Sequence, residues 1–218
     1  IRGDSAGAGV NGITITAAGS TIKGLAINRF SQTGVYISGS GATGNRLQSN
    51  YIGINAAGTA AAGNSWYGIS IDSGATSNYV GTDGDGTNDS AEGNVISGNS
   101  ISGIGLFNSG TNSNVVAGNY IGTNASGMAG IANLNSGIVI GDGAHENRVG
   151  TDANGVSDAL ERNIISANGS LGVLIGNSGT DNNIVAGNYI GTDATGTTAL
   201  GNIGTGIFVI QGAKNNTI

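Results

Sequence analysis

Three stretches of the chain carry nearly one text: "SNYIGINAAG" at residues 49–58, "GNYIGTNASG" at 118–127 and "GNYIGTDATG" at 187–196. Their NYI tripeptides begin at Asn50, Asn119 and Asn188, so the copies stand at one constant offset (119 − 50 = 69; 188 − 119 = 69). Unrelated features keep the same interval. "GISI" at Gly68, "GIVI" at Gly137 and "GIFV" at Gly206 obey it, as do "NVISGN" at Asn94 and "NIISAN" at Asn163, and the series Asn64, Asn133, Asn202. An interval shared by independent features is the mark of a repeat architecture.

Sorting the short apolar islands resolves the repeat. One family is Asn-x-hydrophobic, at Asn45, Asn78, Asn114, Asn147, Asn183 and Asn216, with spacings of 33, 36, 33, 36 and 33. A second starts at Asn50, Asn94, Asn119, Asn163 and Asn188, spaced by 44, 25, 44 and 25. The third is Gly-hydrophobic-x-hydrophobic, at Gly34, Gly68, Gly103, Gly137, Gly172 and Gly206. Their cyclic order never breaks. Islands this short, β-branched and bounded by Gly, Asn, Ser and Thr read as strands with tight turns. Three strands returning in fixed order describe one coil of a parallel β-helix, and two coils make up one full repeat.

The first Gly-hydrophobic island, at Gly12, precedes the one at Gly34 by a much shorter interval (34 − 12 = 22), which gives the length of an undecorated coil. The longer coils are that coil plus an inserted loop. Insertions fall alternately after the second strand ("INAAGTAAAGNSWY", "TNASGMAGIANLNS", "TDATGTTALGNIGT") and after the first ("TDGDGTNDSAEG", "TDANGVSDALER"). The expectation is one all-β domain over residues 1–218, a β-solenoid of about seven coils, forming a segment of a longer repeat protein or filament. By the two-residue strand period, Ile69, Ile71, Ile138, Ile140, Ile207 and Val209 point inward. The repeated Asn residues are expected at turns, tolerating left-handed backbone and hydrogen-bonding their stacked neighbours.

The pattern in "STIKGLAINRFSQTGVYI" (20–37), "DSAEGNVISGN" (89–99) and "GNYIGTDATGTTALGN" (187–202) resembles the right-handed parallel β-helix repeats of large bacterial secreted and cell-surface proteins. The resemblance spans essentially the whole chain. It implies a right-handed solenoid, export, and an extracellular or bacterial cell-surface setting. It implies no activity, because the family shares no catalytic residues and a fold does not supply a function.

Composition narrows the partners. The net charge is −6 with only seven Lys and Arg, which argues against a phosphate-tracking surface and hence against nucleic acid. No apolar run approaches the ~20 residues that span a bilayer. The 43 glycines come with no proline and no cysteine, which excludes disulfides and thiol ligands.

An enzyme acting on polysaccharides would need clustered carboxylates or a basic residue on the outward strand positions. No acidic pair occurs there. Arg46 and Arg148 are far apart and read as solvated or loop-pairing, and the single histidine, His145, reads as an exposed turn residue. The chain is therefore expected to be non-catalytic. Seven of the 13 carboxylates fall in the two loops inserted after first-family strands. Aligned at the repeat, both read Asp-x-[Asp/Asn]-Gly-x-x-Asp-x-x-Glu: Asp83, Asp85, Asp89 and Glu92, then Asp152, Asn154, Asp158 and Glu161. Oxygen ligands at the first and third positions followed by Gly resemble the opening of a calcium loop. Asp89-x-x-Glu92 and Asp158-x-x-Glu161 are equally the spacing of a capping box that starts one helical turn without any ion. Both readings stand at this level.

The apolar stripe Tyr51, Val95, Tyr120, Ile164 and Tyr189 faces outward, and the inserted loops are expected to cover it. The functional expectation is a structural or adhesive solenoid that extends, displays loops, and self-associates end to end or binds a surface. The alternatives are a carbohydrate-active enzyme or a carbohydrate-binding module using Trp66, Tyr67 and the tyrosine stripe.

Overall fold

The computed structural model describes residues 1–218 and contains 19 strands in three wholly parallel sheets. The first sheet stacks β1 (Ile13–Ile15), β4 (Val35–Ser38), β7 (Ile69–Asp72), β10 (Ile104–Phe107), β13 (Ile138–Gly141), β16 (Val173–Gly176) and β19 (Ile207–Ile210). The second stacks β2 (Thr21–Lys23), β5 (Arg46–Gln48), β8 (Tyr79–Gly81), β11 (Val115–Ala117), β14 (Arg148–Gly150) and β17 (Ile184–Ala186). The third stacks β3 (Ala26–Ile27), β6 (Tyr51–Ile52), β9 (Val95–Ile96), β12 (Tyr120–Ile121), β15 (Ile164–Ile165) and β18 (Tyr189–Ile190). Each strand pairs with the strand one coil away, in the register the repeat demands: Val35, Ile69, Ile104, Ile138 and Val173 lie side by side, as do Ile52, Ile96, Ile121 and Ile165. This is a parallel β-helix.

The core is the set of inward columns. Val35, Ile37, Ile69, Ile71, Ile104, Leu106, Ile138, Ile140, Val173 and Ile175 of the first sheet are fully buried, as are Leu47, Val80, Val116 and Val149 of the second. Each such side chain contributes roughly 1.5–3 kcal/mol by leaving water. The inward orientation expected for Ile69, Ile71, Ile138 and Ile140 therefore holds. In the last coil the same columns are thinner: Ile207 packs against the core only partly and Val209 is 41 % exposed, because β19 has a neighbour on one side only.

Glycine opens each first-sheet strand, and in every coil but the last the corner has no room for a side chain. A Cβ on Gly103 would sit 2.7 Å from the Gly137 carbonyl oxygen and 2.8 Å from a methyl of Ile121.

Three asparagine ladders tie the coils together. In the first, each Nδ2 donates to the Oδ1 of the next, from Asn45 through Asn78, Asn114, Asn147 and Asn183 to Asn216, at 2.8–3.1 Å. The second runs Asn50, Asn94, Asn119, Asn163, Asn188. The third runs Asn64, Asn99, Asn133, Asn168, Asn202. Most rungs also accept a backbone N–H on the same Oδ1 and donate to a carbonyl one coil back, as Asn78 does with Asn45 N–H and Ala42 O. Every rung points the same way along the axis. Contrary to expectation, the ladder asparagines themselves are not left-handed. In the first ladder left-handed backbone falls on the residue before each rung, as at Ser77 (φ 55°), Ser113 (φ 57°), Glu146 (φ 55°) and Asn182 (φ 57°). That turn swings the following amide inward, where burial makes its hydrogen bonds strong.

Candidate functional site

The loops inserted after β6, β12 and β18 are closed by antiparallel bridges, Ile54 to Ala61, Thr123 to Gly130 and Thr192 to Ala199. Their hinge residues are Asn55, Asn124 and Asp193, whose Oδ1 accepts amides further round the loop: Thr59 N–H at 2.9 Å, Met128 N–H at 3.1 Å, Thr195 N–H at 3.0 Å. Each loop folds back over its own coil's tyrosine. A Cβ on Gly127 would lie 2.8 Å from the Tyr120 ring, and one on Gly196 2.6 Å from the Tyr189 ring, so glycine is what lets the loop lie flat there. The loops also touch one another across the coil that lacks one, with Ala125 N–H bonding Gly58 O and Ala194 N–H bonding Gly127 O, each at 3.0 Å. Val95 and Ile164 are buried beneath and the three tyrosines are half-buried, so the stripe is covered as expected and offers no open sugar-binding face.

The acidic loops line a second row. In the first, Asp83, Asp89 and Glu92 converge, with one carboxylate oxygen of each within 4.8 Å of the others. Asp85 stays outside, exposed and accepting Thr87 N–H at 2.7 Å. Asp89 starts a 3-10 turn, Asp89–Ala91, but the capping-box bonds do not form. Its carboxylate accepts the Thr82 hydroxyl at 2.7 Å and Gly86 N–H at 2.9 Å, while Glu92 Oε2 accepts Asp83 N–H at 3.4 Å. Both side chains thus brace the loop rather than cap the turn, because donors at Thr82, Asp83 and Gly86 reach them first. Burial pushes Asp89 up, yet hydrogen bonds from Ser157, Thr82 and the Gly86 and Gly84 amides outweigh it and hold its carboxyl below the usual range. Burial and the neighbouring Asp83 charge push Glu92 above it. Arg46 Nε reaches Asp83 Oδ2 at 3.0 Å, and Asp83 Oδ1 is buried with no hydrogen-bond partner.

In the second loop Asp152, Asp158 and Glu161 converge the same way, and Asn154 is exposed, bonded to Asp152. Gly155 N–H points at Asp158 and Asp152 N–H donates to Glu161 Oε2 at 2.9 Å, the same bracing. Glu161 is wholly buried against Arg148, Nη1 to Oε1 2.9 Å, and Arg148 also lies 3.7 Å from Asp152. The two acidic loops stack so closely that a Cβ on Gly84 would collide with Glu161 Oε1. Both arginines are loop-pairing. His145 stands in its turn with only Glu146 near its ring, Nδ1 to Oε2 3.8 Å. The sequence pointed to Trp66 and Tyr67 but not to the groove they share with Tyr36 and Phe107 on the outer face of the first sheet, of about 400 Å³. Its signal was available: all four of those aromatics lack an aromatic counterpart one repeat later.

Fold and loops together define the class, a parallel β-helix solenoid with two rows of loops on its flanks and one aromatic groove. No family model, curated protein or solved structure matches the chain. No helix is long and apolar enough to cross a membrane.

Proposed function

We propose that the protein is a non-catalytic extracellular β-solenoid scaffold that holds loops at fixed spacing and either binds a surface or associates with its own kind. One observation carries the reading: the columns that repeat from coil to coil are the columns that hold the fold, namely the inward aliphatics and three unbroken amide ladders. Such a ladder braces a rod against bending and shear. It also supports self-association, since a coil from a second copy would meet the same donors and acceptors that join every pair of coils here. The loops, stacked two coils apart, repeat about every 10 Å along the axis. Electron microscopy with sedimentation velocity tests the proposal. Rods, with either filament growth or retention on bacterial cell surfaces, are expected. Turnover of a polysaccharide by the purified chain, or monomers that adhere to nothing, would overturn it.

A second reading concerns the first acidic loop, where Asp83 Oδ1 is buried without a partner in a trio holding more negative charge than Arg46 balances. Hard carboxylate oxygens in a braced loop suit Ca²⁺. In the second loop Arg148 reaches two of the three carboxylates and no buried carboxylate oxygen lacks a partner, so the first loop carries this reading.

A further inference from the structure

From the groove on the outer face of the first sheet we infer that the chain binds an oligosaccharide of neutral or amino sugars, with Trp66 as its stacking platform. The inference rests on the adhesive half of the proposed function and gives that half a site and a ligand class.

The floor is Ser70 of β7, in register with Tyr36 of β4 on one side and Gly105 of β10 on the other, and the Phe107 ring folds back across Gly105, where it occupies the space a Cβ would need. Small residues between aromatic walls leave a trough instead of a filled surface. One wall is Trp66 and Tyr67 at the end of the preceding loop. Tyr67 packs edge-on against Phe107, ring centroids 5.4 Å apart at 64°. The Trp66 backbone is pinned between coils by bonds to Gln32 O and from Ile101 N–H, yet its side chain is 48 % exposed. A half-exposed indole on a pinned backbone suits contact with the C–H face of a sugar ring. The other wall is polar: Asp72, Asn108 and Asp142. Asp72 is oriented by Ser73, 2.8 Å, and by the Tyr36 hydroxyl, 3.4 Å. Carboxylates and an amide opposite an aromatic platform match hydroxyl and ammonium donors.

Charge selects among saccharides. No Lys, Arg or His lines the groove, and two carboxylates do, so a uronate chain would be repelled. The repeat gives an independent pointer. One period on, Trp66, Tyr67 and Phe107 are replaced by Asn135, Ser136 and Gly176. Columns that hold the coil keep their residue types, while four of the six aromatics with no aromatic counterpart one period on, Tyr36, Trp66, Tyr67 and Phe107, converge on this trough, Phe30 and Tyr79 lying elsewhere.

The test is the intact chain on an immobilised array of neutral, amino-sugar and uronate oligosaccharides, followed by calorimetric titration with each oligosaccharide retained. Binding to a neutral or amino-sugar oligosaccharide, weakened at least tenfold by Trp66→Ala and by Asp72→Asn with melting curves unchanged, supports the site. Silence across the array, tighter binding of uronates, or undiminished binding by Trp66→Ala overturns it. Asp72→Asn keeps the side-chain shape should Trp66→Ala disturb the loop. Sedimentation of the same sample separates the two proposals: filaments that ignore glycans refute the groove alone, and lone monomers that bind one refute self-association alone.

Discussion

The two acidic loops, 82–93 and 151–162, start from one sequence pattern, occupy equivalent places two coils apart, and gather the same carboxylate trio, yet they neutralise it differently. In the second loop the cation comes from the loop's own coil: Arg148 of β14 buries its guanidinium against Glu161. One repeat earlier that position is Tyr79, and the charge arrives from the neighbouring coil, where Arg46 of β5 crosses the Tyr79 ring at 5.4 Å to reach Asp83. The repeat position of Arg46 in the later unit is Val115. A solenoid can thus place one compensating charge on either of two adjacent strands, because parallel stacking brings both within reach of the loop. The choice decides which carboxylate carries the ion pair: Glu161 in one case, Asp83 through Oδ2 alone in the other, with Glu92 left without a cation.

The largest difference should appear on removing the arginines. Arg148→Ala strands a wholly buried carboxylate and should cost about 3–5 kcal/mol. Arg46 is nearly half-exposed, and Arg46→Ala should cost less than about 1 kcal/mol. Urea unfolding with matched m-values reads both. Equal losses would mean that the two ion pairs are equivalent after all.

A smaller and opposite pair of effects follows from the glutamates. The Glu92 carboxyl is raised by burial and by Asp83, so its protonated form is the one the fold favours. Its contribution is complete below the ordinary glutamate range and is lost as pH rises through the higher folded value. Glu92→Gln should therefore raise the urea midpoint at pH 7 and lose that advantage by about pH 4, whereas Glu161→Gln should lower the midpoint at pH 7 by weakening the Arg148 pair. Calcium sharpens the contrast. If the first loop takes the ion, wild-type protein gains about 1.4 kcal/mol at a free Ca²⁺ concentration ten times Kd, Glu161→Gln keeps that gain, and Glu92→Gln loses it. A wild-type melting curve indifferent to both calcium and chelator ends that reading.

Most of the fold was legible because a solenoid writes its contacts as intervals. Positions one coil apart in sequence are neighbours in space, so spacing alone gave the three sheets, their register, the inward columns and two of the ladders. The third ladder was half seen, as Asn64, Asn133 and Asn202; Asn99 and Asn168 fill the gaps between them, at alternating spacings of 35 and 34. What spacing could not give is whatever depends on side-chain reach. The crossing of Arg46 over Tyr79, the link from Ser157 to Asp89, and the trough beneath Trp66 all depend on where a long or aromatic side chain ends, which no backbone interval records. The capping-box reading failed for a related reason: it treats the loop as isolated, while the packed loop offers Asp89 and Glu92 better donors in Thr82 and Gly86 and in Asp83.

The smallest effect is expected in the other row of loops, where two siblings carry Asn and the third carries Asp. Asp193 is held down to about 2, chiefly by the Thr195 hydroxyl at 2.6 Å, with burial opposing and the Thr198 side chain and the Thr198 and Thr195 amides assisting. Because the folded value is depressed, its contribution is present above the ordinary value of 3.8 and drains away as pH falls toward about 2. Asn55 and Asn124 accept the equivalent amide five residues on, from Ala60 and Ala129, without a charge. In Asn55 the Nδ2 also donates to Thr59, whose counterpart two repeats on is Thr197, so Asp193→Asn has an acceptor ready for its new donor. The variant should melt slightly below wild type at pH 6, and the two curves should converge by pH 2. A gap that persists at pH 2 would show that the Asp matters for shape and not for charge.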